Sequence, residues 1–246
     1  VKGDIVDRGI EFKGGYYYQV YYEGELPSDL ISQLQNEYPG IKIRKISGES
    51  LLSIEYNKDI PIKEILEEKG VKVKDVTKRM VSSSLSASFW RTAIKLLIIA
   101  YLLVTVVVFV TFRTFVPSLA IVLAGLSDII IALVGMNLFD IPLTAASLTA
   151  LLILIGYSVD TDILLTTRVI KEKPTDIDKA LVSAAKTGLT MTATSLAGMF
   201  SLYFIGLAPV LRQIALVIIF GLLADVIFTW LQNASIIKLY MVRKNA

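Results

Sequence analysis

Five charged side chains sit inside stretches that are otherwise apolar: Asp128, Asp160, Asp162, Asp225 and Lys186. A carboxylate at the centre of a membrane helix costs roughly 2.5–3.5 kcal/mol on insertion scales, so none of the four acids is expected to face lipid. Four acids face one base. At least one acid must then be protonated or held by hydroxyls, which is the starting condition of a proton relay; the alternative is a purely structural polar clamp. At a rise of about 1.5 Å per residue, Asp160 and Lys186 lie about 9 Å from the inner ends of their spans, and Asp128 and Asp225 about 15 Å. Asp160 and Lys186 are therefore placed to pair across the third and fourth spans. Asp160 and Asp162 are two residues apart, roughly 200° around a helix, and must face opposite ways. Asp160 is expected toward the site, and Asp162 toward another subunit or the headgroup side. The fourth span is crowded with hydroxyls: Thr187, Thr190, Thr192, Thr194 and Ser195. They line a hydrated path or bond the charged groups, unless the run serves helix packing through its small residues Ala193, Ala197 and Gly198.

Composition removes other chemistries. There is no cysteine and no histidine. Disulfides, thiolate metal sites, zinc hydrolysis and Ser-His-Asp catalysis are excluded on that count, and no metal or other cofactor is expected. A net charge of +3 is too small to argue for nucleic acid. The chain is 54% hydrophobic and 19% charged, with mean hydropathy +0.63. That balance disfavours both intrinsic disorder and a water-soluble enzyme with one core.

The charges divide the chain. Residues 1–90 carry 13 Lys and Arg against 14 Asp and Glu, whereas residues 91–246 carry 12 against 8. We read residues 1–88 as an ordinary polar domain, 89–246 as a membrane domain, and the small polar stretch 81–88 as the join, with Trp90 beyond it as an interfacial anchor. The membrane part holds five apolar runs of spanning length, about 94–112, 115–135, 142–166, 181–205 and 209–235. Arg113, the group Arg168, Lys171, Lys173 and Lys179, and the terminal Lys238, Arg243 and Lys244 mark loops one and three and the C-terminus as cytoplasmic. Residues 1–88 are then extracytoplasmic.

In the polar domain, strand patterns at 16–23, 41–46, 51–56 and 71–76 alternate with helix patterns at 28–37 and 60–68. The order β-α-β-β-α-β predicts a ferredoxin-like α+β domain. Turns are read at Pro39-Gly40, Ser47-Gly48 and Gly70. The tyrosines 16, 17, 18, 21 and 22 suit either an adhesive patch for unfolded chains or a strand with one packed and one wet face.

Three stretches together resemble SecF, the smaller partner of SecD in protein export. Gly9-Ile10-Glu11-Phe12-Lys13-Gly14-Gly15 is similar to the box that follows that family's first helix, with Glu11 in place of Asp. Ile155-Gly156-Tyr157-Ser158-Val159-Asp160-Thr161-Asp162-Ile163, running on to Thr167-Arg168, resembles its fourth-helix signature. Lys186-Thr187-Gly188-Leu189-Thr190 and Thr194-Ser195 resemble its fifth helix. The acid of bacterial members falls at Thr161, whereas Asp160 occupies the place of the acid in SecD-type sequences, and the bacterial base falls near Thr190. These departures are closer to archaeal members. The resemblance implies an RND-type bundle of six membrane helices with one exterior domain after the first helix, which is expected to be missing from this sequence. It further implies a non-enzymatic accessory role in the Sec machinery, beside SecD and the translocon channel in the lipid bilayer, in which the outer domain engages unfolded preproteins and the proton motive force drives the work. An RND-type subunit exporting lipids or small molecules is the alternative. An intramembrane aspartyl protease is disfavoured, because no Gly-x-Gly-Asp box precedes Asp160 or Asp225.

Overall fold

A computed structural model describes residues 7–45, 50–172, 174–206 and 208–245. The turn read at Ser47-Gly48 and the loop residue Lys173 lie outside the described residues. The chain divides into two compact units, residues 8–92 and residues 93–246, with Asp7 grouped with the second.

The first unit contains α1 (Ile10–Lys13), β1 (Gly15–Glu23), α2 (Leu30–Glu37), β2 (Lys42–Lys45), β3 (Leu51–Tyr56), α3 (Ile62–Glu68) and β4 (Lys72–Val81). The four strands form one sheet in the order β2-β3-β1-β4, every pair antiparallel. This is the split β-α-β arrangement of a ferredoxin-like domain. Period-two alternation sorts the tyrosines of β1. Tyr18, Val20 and Tyr22 turn inward against Leu30, Leu34, Leu52, Ile54 and Leu66, whereas Tyr21 is 39% exposed. Burying each large apolar side chain contributes about 1.5–3 kcal/mol, so this face holds the sheet to its two longer helices. The tyrosine run is thus chiefly a packed strand.

One polar link closes the domain at the β4 edge. The Tyr18 hydroxyl donates to Asp59 Oδ1 (2.9 Å) and accepts from the Ile60 N–H (3.0 Å), and Asp59 Oδ2 pairs with Lys78 Nζ at 2.5 Å. The hydrogen bond from Lys78, with that from Tyr18, holds the Asp59 carboxyl below its ordinary range. A depressed carboxyl adds stability above its unfolded pKa, about 3.9, and loses it as pH falls through the folded value. The melting temperature of the domain should therefore drop on acidification below about pH 4. Lys78→Met should flatten that part of the pH profile; an unchanged acid limb would dissociate the pair from stability.

The second unit is a helical bundle, and helix α4, whose first turns belong to the first unit, starts earlier than expected. Instead of a linker at 81–88, helix α4 runs from Ser83 to Phe112. Ser82 supplies the start: its Oγ accepts from the Leu85 N–H (3.4 Å), and Ser86 Oγ donates to the Ser82 carbonyl (3.0 Å). The small polar residues of the join thus serve as a helix cap and first turns. Then follow α5 (Phe115–Leu138), α6 (Ala145–Thr166) with a π-helical continuation Thr167–Lys171, α7 (Ile177–Ile205), and α8 (Pro209–Ile227) with a π-helical segment Phe228–Asn233 leading into α9 (Ala234–Asn245). Among the described residues five helical stretches are long and apolar enough to cross a membrane. Where the third run was read to begin at Pro142, the helix begins only after a capping box: Ser147 N–H donates to Thr144 Oγ1 (3.3 Å) and Thr144 N–H to Ser147 Oγ (2.7 Å).

Helix α8 packs against α5, α6 and α7. Only 11% of the apolar window of α4 and of α7 is buried, against 44% for α5 and 56% for α6. Close approach depends on glycines: a Cβ on Gly221 would run into Leu154, and one on Gly188 into the Trp230 ring. The small residues that seat α7 are Ala184, Gly188 and Thr192, which are buried. Ala193, Ala197 and Gly198, read from the sequence as packing residues, are exposed.

Candidate functional site

The inner stripe of α6 is Leu151, Leu154, Ile155, Ser158, Thr161, Asp162 and Leu165, each three or four residues from another member, as one helix face requires. Asp162 lies on it and is fully buried. Asp160, about 200° away, is exposed. The two acids do face opposite ways, but the expected assignment is reversed: Asp162 points into the bundle.

Around Asp162 the bundle assembles acids and hydroxyls from three helical stretches. Helix α5 brings Asp128 on the stripe of Ala124, Gly125 and Ala132; α8 brings Asp225; the π-helical segment brings Thr229 and Asn233. With Ser158 and Thr161 of α6, all seven are buried. The Ser158 hydroxyl donates to Asp128 Oδ2. Thr161 Oγ1 lies 2.8 Å from Asp225 Oδ1 and 2.8 Å from the Ser158 carbonyl. Thr229 Oγ1 lies 2.9 Å from Asp225 Oδ1 and 2.9 Å from Asp162 Oδ1. The Asn233 amide donates to Asp162 Oδ1 at 2.6 Å. One oxygen of each acid, Asp128 Oδ1, Asp162 Oδ2 and Asp225 Oδ2, has no hydrogen-bond partner among the described residues, nor has Asn233 Oδ1.

No lysine or arginine forms an ion pair with these three acids among the described residues. Three simultaneous negative charges in a site of this burial would be very costly, since an unpaired buried ion lacks both water and counter-charge. Hydroxyl donors ease that cost and leave room for protons. Among the described residues no cluster of acids is arranged to hold a metal ion.

The remaining expected residues lie elsewhere. Lys186 and Thr190 are on the exposed face of α7, and the Thr190 hydroxyl donates to the Lys186 carbonyl of its own helix (2.8 Å). The expected Asp160–Lys186 pair does not form; both are exposed, on different helices. Thr187 and Thr194 likewise bond their own backbone. Arg168, in the π-helical continuation of α6, pairs with Glu172 at 3.6 Å. The box Gly9, Glu11, Gly14 and Gly15 belongs to the first unit, where Gly9 and Gly14 flank the short helix α1 and Gly14 and Gly15 have positive φ. Phe12 packs edge-on against Trp90 (5.7 Å), Arg8 lies over the same ring (5.0 Å), and Ser86 Oγ lies 3.4 Å from the Ile10 carbonyl oxygen. Thr229 and Asn233 escaped the sequence reading, although their spacing from Asp225, four and eight residues, was the available signal.

Comparison with known proteins places this geometry in a family. Residues 61–243 match the C-terminal region of the protein export membrane proteins SecD/SecF. The protein-export membrane protein SecF of Methanothermobacter thermautotrophicus is 38% identical over 249 residues, covering 96% of this chain and 85% of its own length. That of Thermococcus gammatolerans is 37% identical over 247 residues, covering 96% and 78%. The crystal structure of SecDF, a translocon-associated membrane protein from Thermus thermophilus, superposes with TM-score 0.79 at 18% identity. The match covers 98% of this chain but 35% of that one, and it speaks for the fold.

Proposed function

Because the chain belongs to the SecF family of protein-export membrane proteins, we propose that it is a non-enzymatic accessory subunit of the Sec translocation machinery, acting with a SecD-type partner. In this reading residues 8–92 stand on the extracytoplasmic side, where they engage preproteins emerging from the translocon, and the C-terminus is cytoplasmic, as the Lys and Arg of loops one and three indicate. The proton motive force supplies the energy, and the coupling site is the buried group Asp128, Asp162 and Asp225 rather than Asp160. One observation carries this: three acids on three packed helices, fully buried, bonded only to hydroxyls and an amide, with no base among them. A structural clamp would be served as well by neutral groups, whereas acids that gain and lose protons change the packing of α5, α6 and α8 as they do so. Kinship to SecF along most of the chain favours protein export over export of lipids or small molecules.

The test is complementation in cells lacking the chromosomal copy, with secretion of a reporter preprotein followed in pulse-chase. Asp162→Asn should slow secretion about tenfold, and Asp160→Asn should leave it within about twofold of wild type, with equal membrane levels of both. The reverse ranking would return the coupling role to Asp160.

A further inference from the structure

Asp162 and Asp225 are the two acids nearest to sharing a proton, yet among the described residues no hydrogen bond joins their carboxyls directly. What lies between them is a single hydroxyl. Thr229 Oγ1 is equidistant, 2.9 Å from Asp162 Oδ1 and 2.9 Å from Asp225 Oδ1. We propose that Thr229 is the relay through which Asp225 and Asp162 exchange a proton, an assignment that rests on the proton-coupled reading above.

Hydrogen counting leads there. A threonine hydroxyl has one hydrogen to give and lone pairs to receive with. It donates to one carboxyl oxygen, and its contact with the other is a hydrogen bond only if that second oxygen carries a hydrogen itself. Two bonds at 2.9 Å therefore call for a hydrogen on at least one of the two acids, and with the other ionised the hydrogens have two arrangements. In the first, Asp225 O–H donates to Thr229, and Thr229 O–H donates to the Asp162 carboxylate. In the second, every hydrogen has moved along by one bond. The Asp225 O–H bond and the Thr229 O–H bond break as a new Thr229 O–H bond and an Asp162 O–H bond form. One carboxylate is lost and one is made, and the threonine ends as it began.

The surroundings fit this task. Thr161 Oγ1 bridges Asp225 Oδ1 and the Ser158 carbonyl in the same manner. In the first arrangement the one hydrogen on Asp225 Oδ1 goes to Thr229, and Thr161 donates to that oxygen; when the hydrogen leaves, Thr161 continues to stabilise the carboxylate. The Asn233 amide fixes Asp162 Oδ1, the oxygen that faces Thr229. Thr229 and Asn233 both come from the π-helical segment Phe228–Asn233, the kind of local helix widening that recurs at functional sites. Thr229 itself is fully buried, so bulk solvent offers no ready detour around it.

The experiment uses the chain reconstituted with its SecD-type partner in liposomes, with proton uptake after an imposed potential read from an entrapped pH dye. Thr229→Val keeps the shape and removes the hydroxyl; Thr229→Ser keeps the hydroxyl. The relay predicts that uptake falls at least tenfold in Thr229→Val and stays within about threefold of wild type in Thr229→Ser, with melting temperatures of the two variants alike. If the valine variant does not assemble, Thr229→Ala carries the same comparison. Wild-type uptake in an assembled variant that lacks the hydroxyl would overturn the relay alone. No uptake by the unsubstituted complex would overturn the proton-coupled reading, and the relay with it.

Discussion

Asp225→Asn is expected to reduce secretion of a reporter preprotein at least tenfold while leaving the protein as stable as before, or more so. Asp225 is the hub of the buried group, reached by both Thr161 and Thr229. Asparagine has nearly the same shape and still accepts those hydrogen bonds, but it neither gains nor loses a proton. It also relieves a site that must otherwise accommodate a buried carboxyl, and replacing buried charge with neutral groups is often neutral or stabilising. Function and stability should therefore move independently. Secretion kinetics and thermal unfolding of the purified protein decide the matter. Asp225→Asn that melts early and secretes poorly would point to a structural clamp, and one that secretes normally would remove Asp225 from the coupling path.

The second large effect lies in the Gly9–Gly15 box. Gly15 has φ +125°, a conformation that L side chains rarely adopt, and a Cβ there would come within 2.6 Å of the Tyr56 carbonyl oxygen. Backbone strain of this kind costs about 1–3 kcal/mol, and the obstacle is backbone rather than a yielding side chain. Gly15→Ala should thus cost roughly 3 kcal/mol or more. For a small domain of marginal stability that is a large share, and the membrane level of the protein should fall. Gly24 is the control. It also has positive φ, but nothing lies near its Cβ position, so Gly24→Ala should cost less than Gly15→Ala. Equal melting temperatures for the two variants would contradict the packing argument.

These effects separate what the chain reveals in one dimension from what it does not. The sheet of residues 8–92 was legible because β1 alternates buried Tyr18, Val20 and Tyr22 with more exposed neighbours, and Pro39-Gly40 and Gly70 punctuate the chain. The five spans were legible because length and apolarity suffice. Rotation about a helix axis was not. In lipid the outer face is as apolar as the inner: Ile153, 51% exposed, is as hydrophobic as fully buried Leu151. Periodicity therefore could not tell Asp162 from Asp160, and the clue lay in the company Asp162 keeps, Ser158 and Thr161 on its own face. Lys186 and Thr190 misled for a related reason. The rotation of α7 is set by Trp230 seating on Gly188, a contact between residues far apart in the chain. The early start of α4 was missed because serines that cap and begin a helix have the same composition as a linker.

Protons should occupy and leave the buried acids while export proceeds. This is tested most directly by proton uptake into liposomes carrying the chain and its SecD-type partner, under an imposed potential, with Asp162 and Asp225 intact or both replaced by Asn. Potential-driven uptake in the intact complex, reduced to the level of empty liposomes by the double replacement, is the predicted result. Equal uptake in both preparations would place the proton path elsewhere and contradict the account.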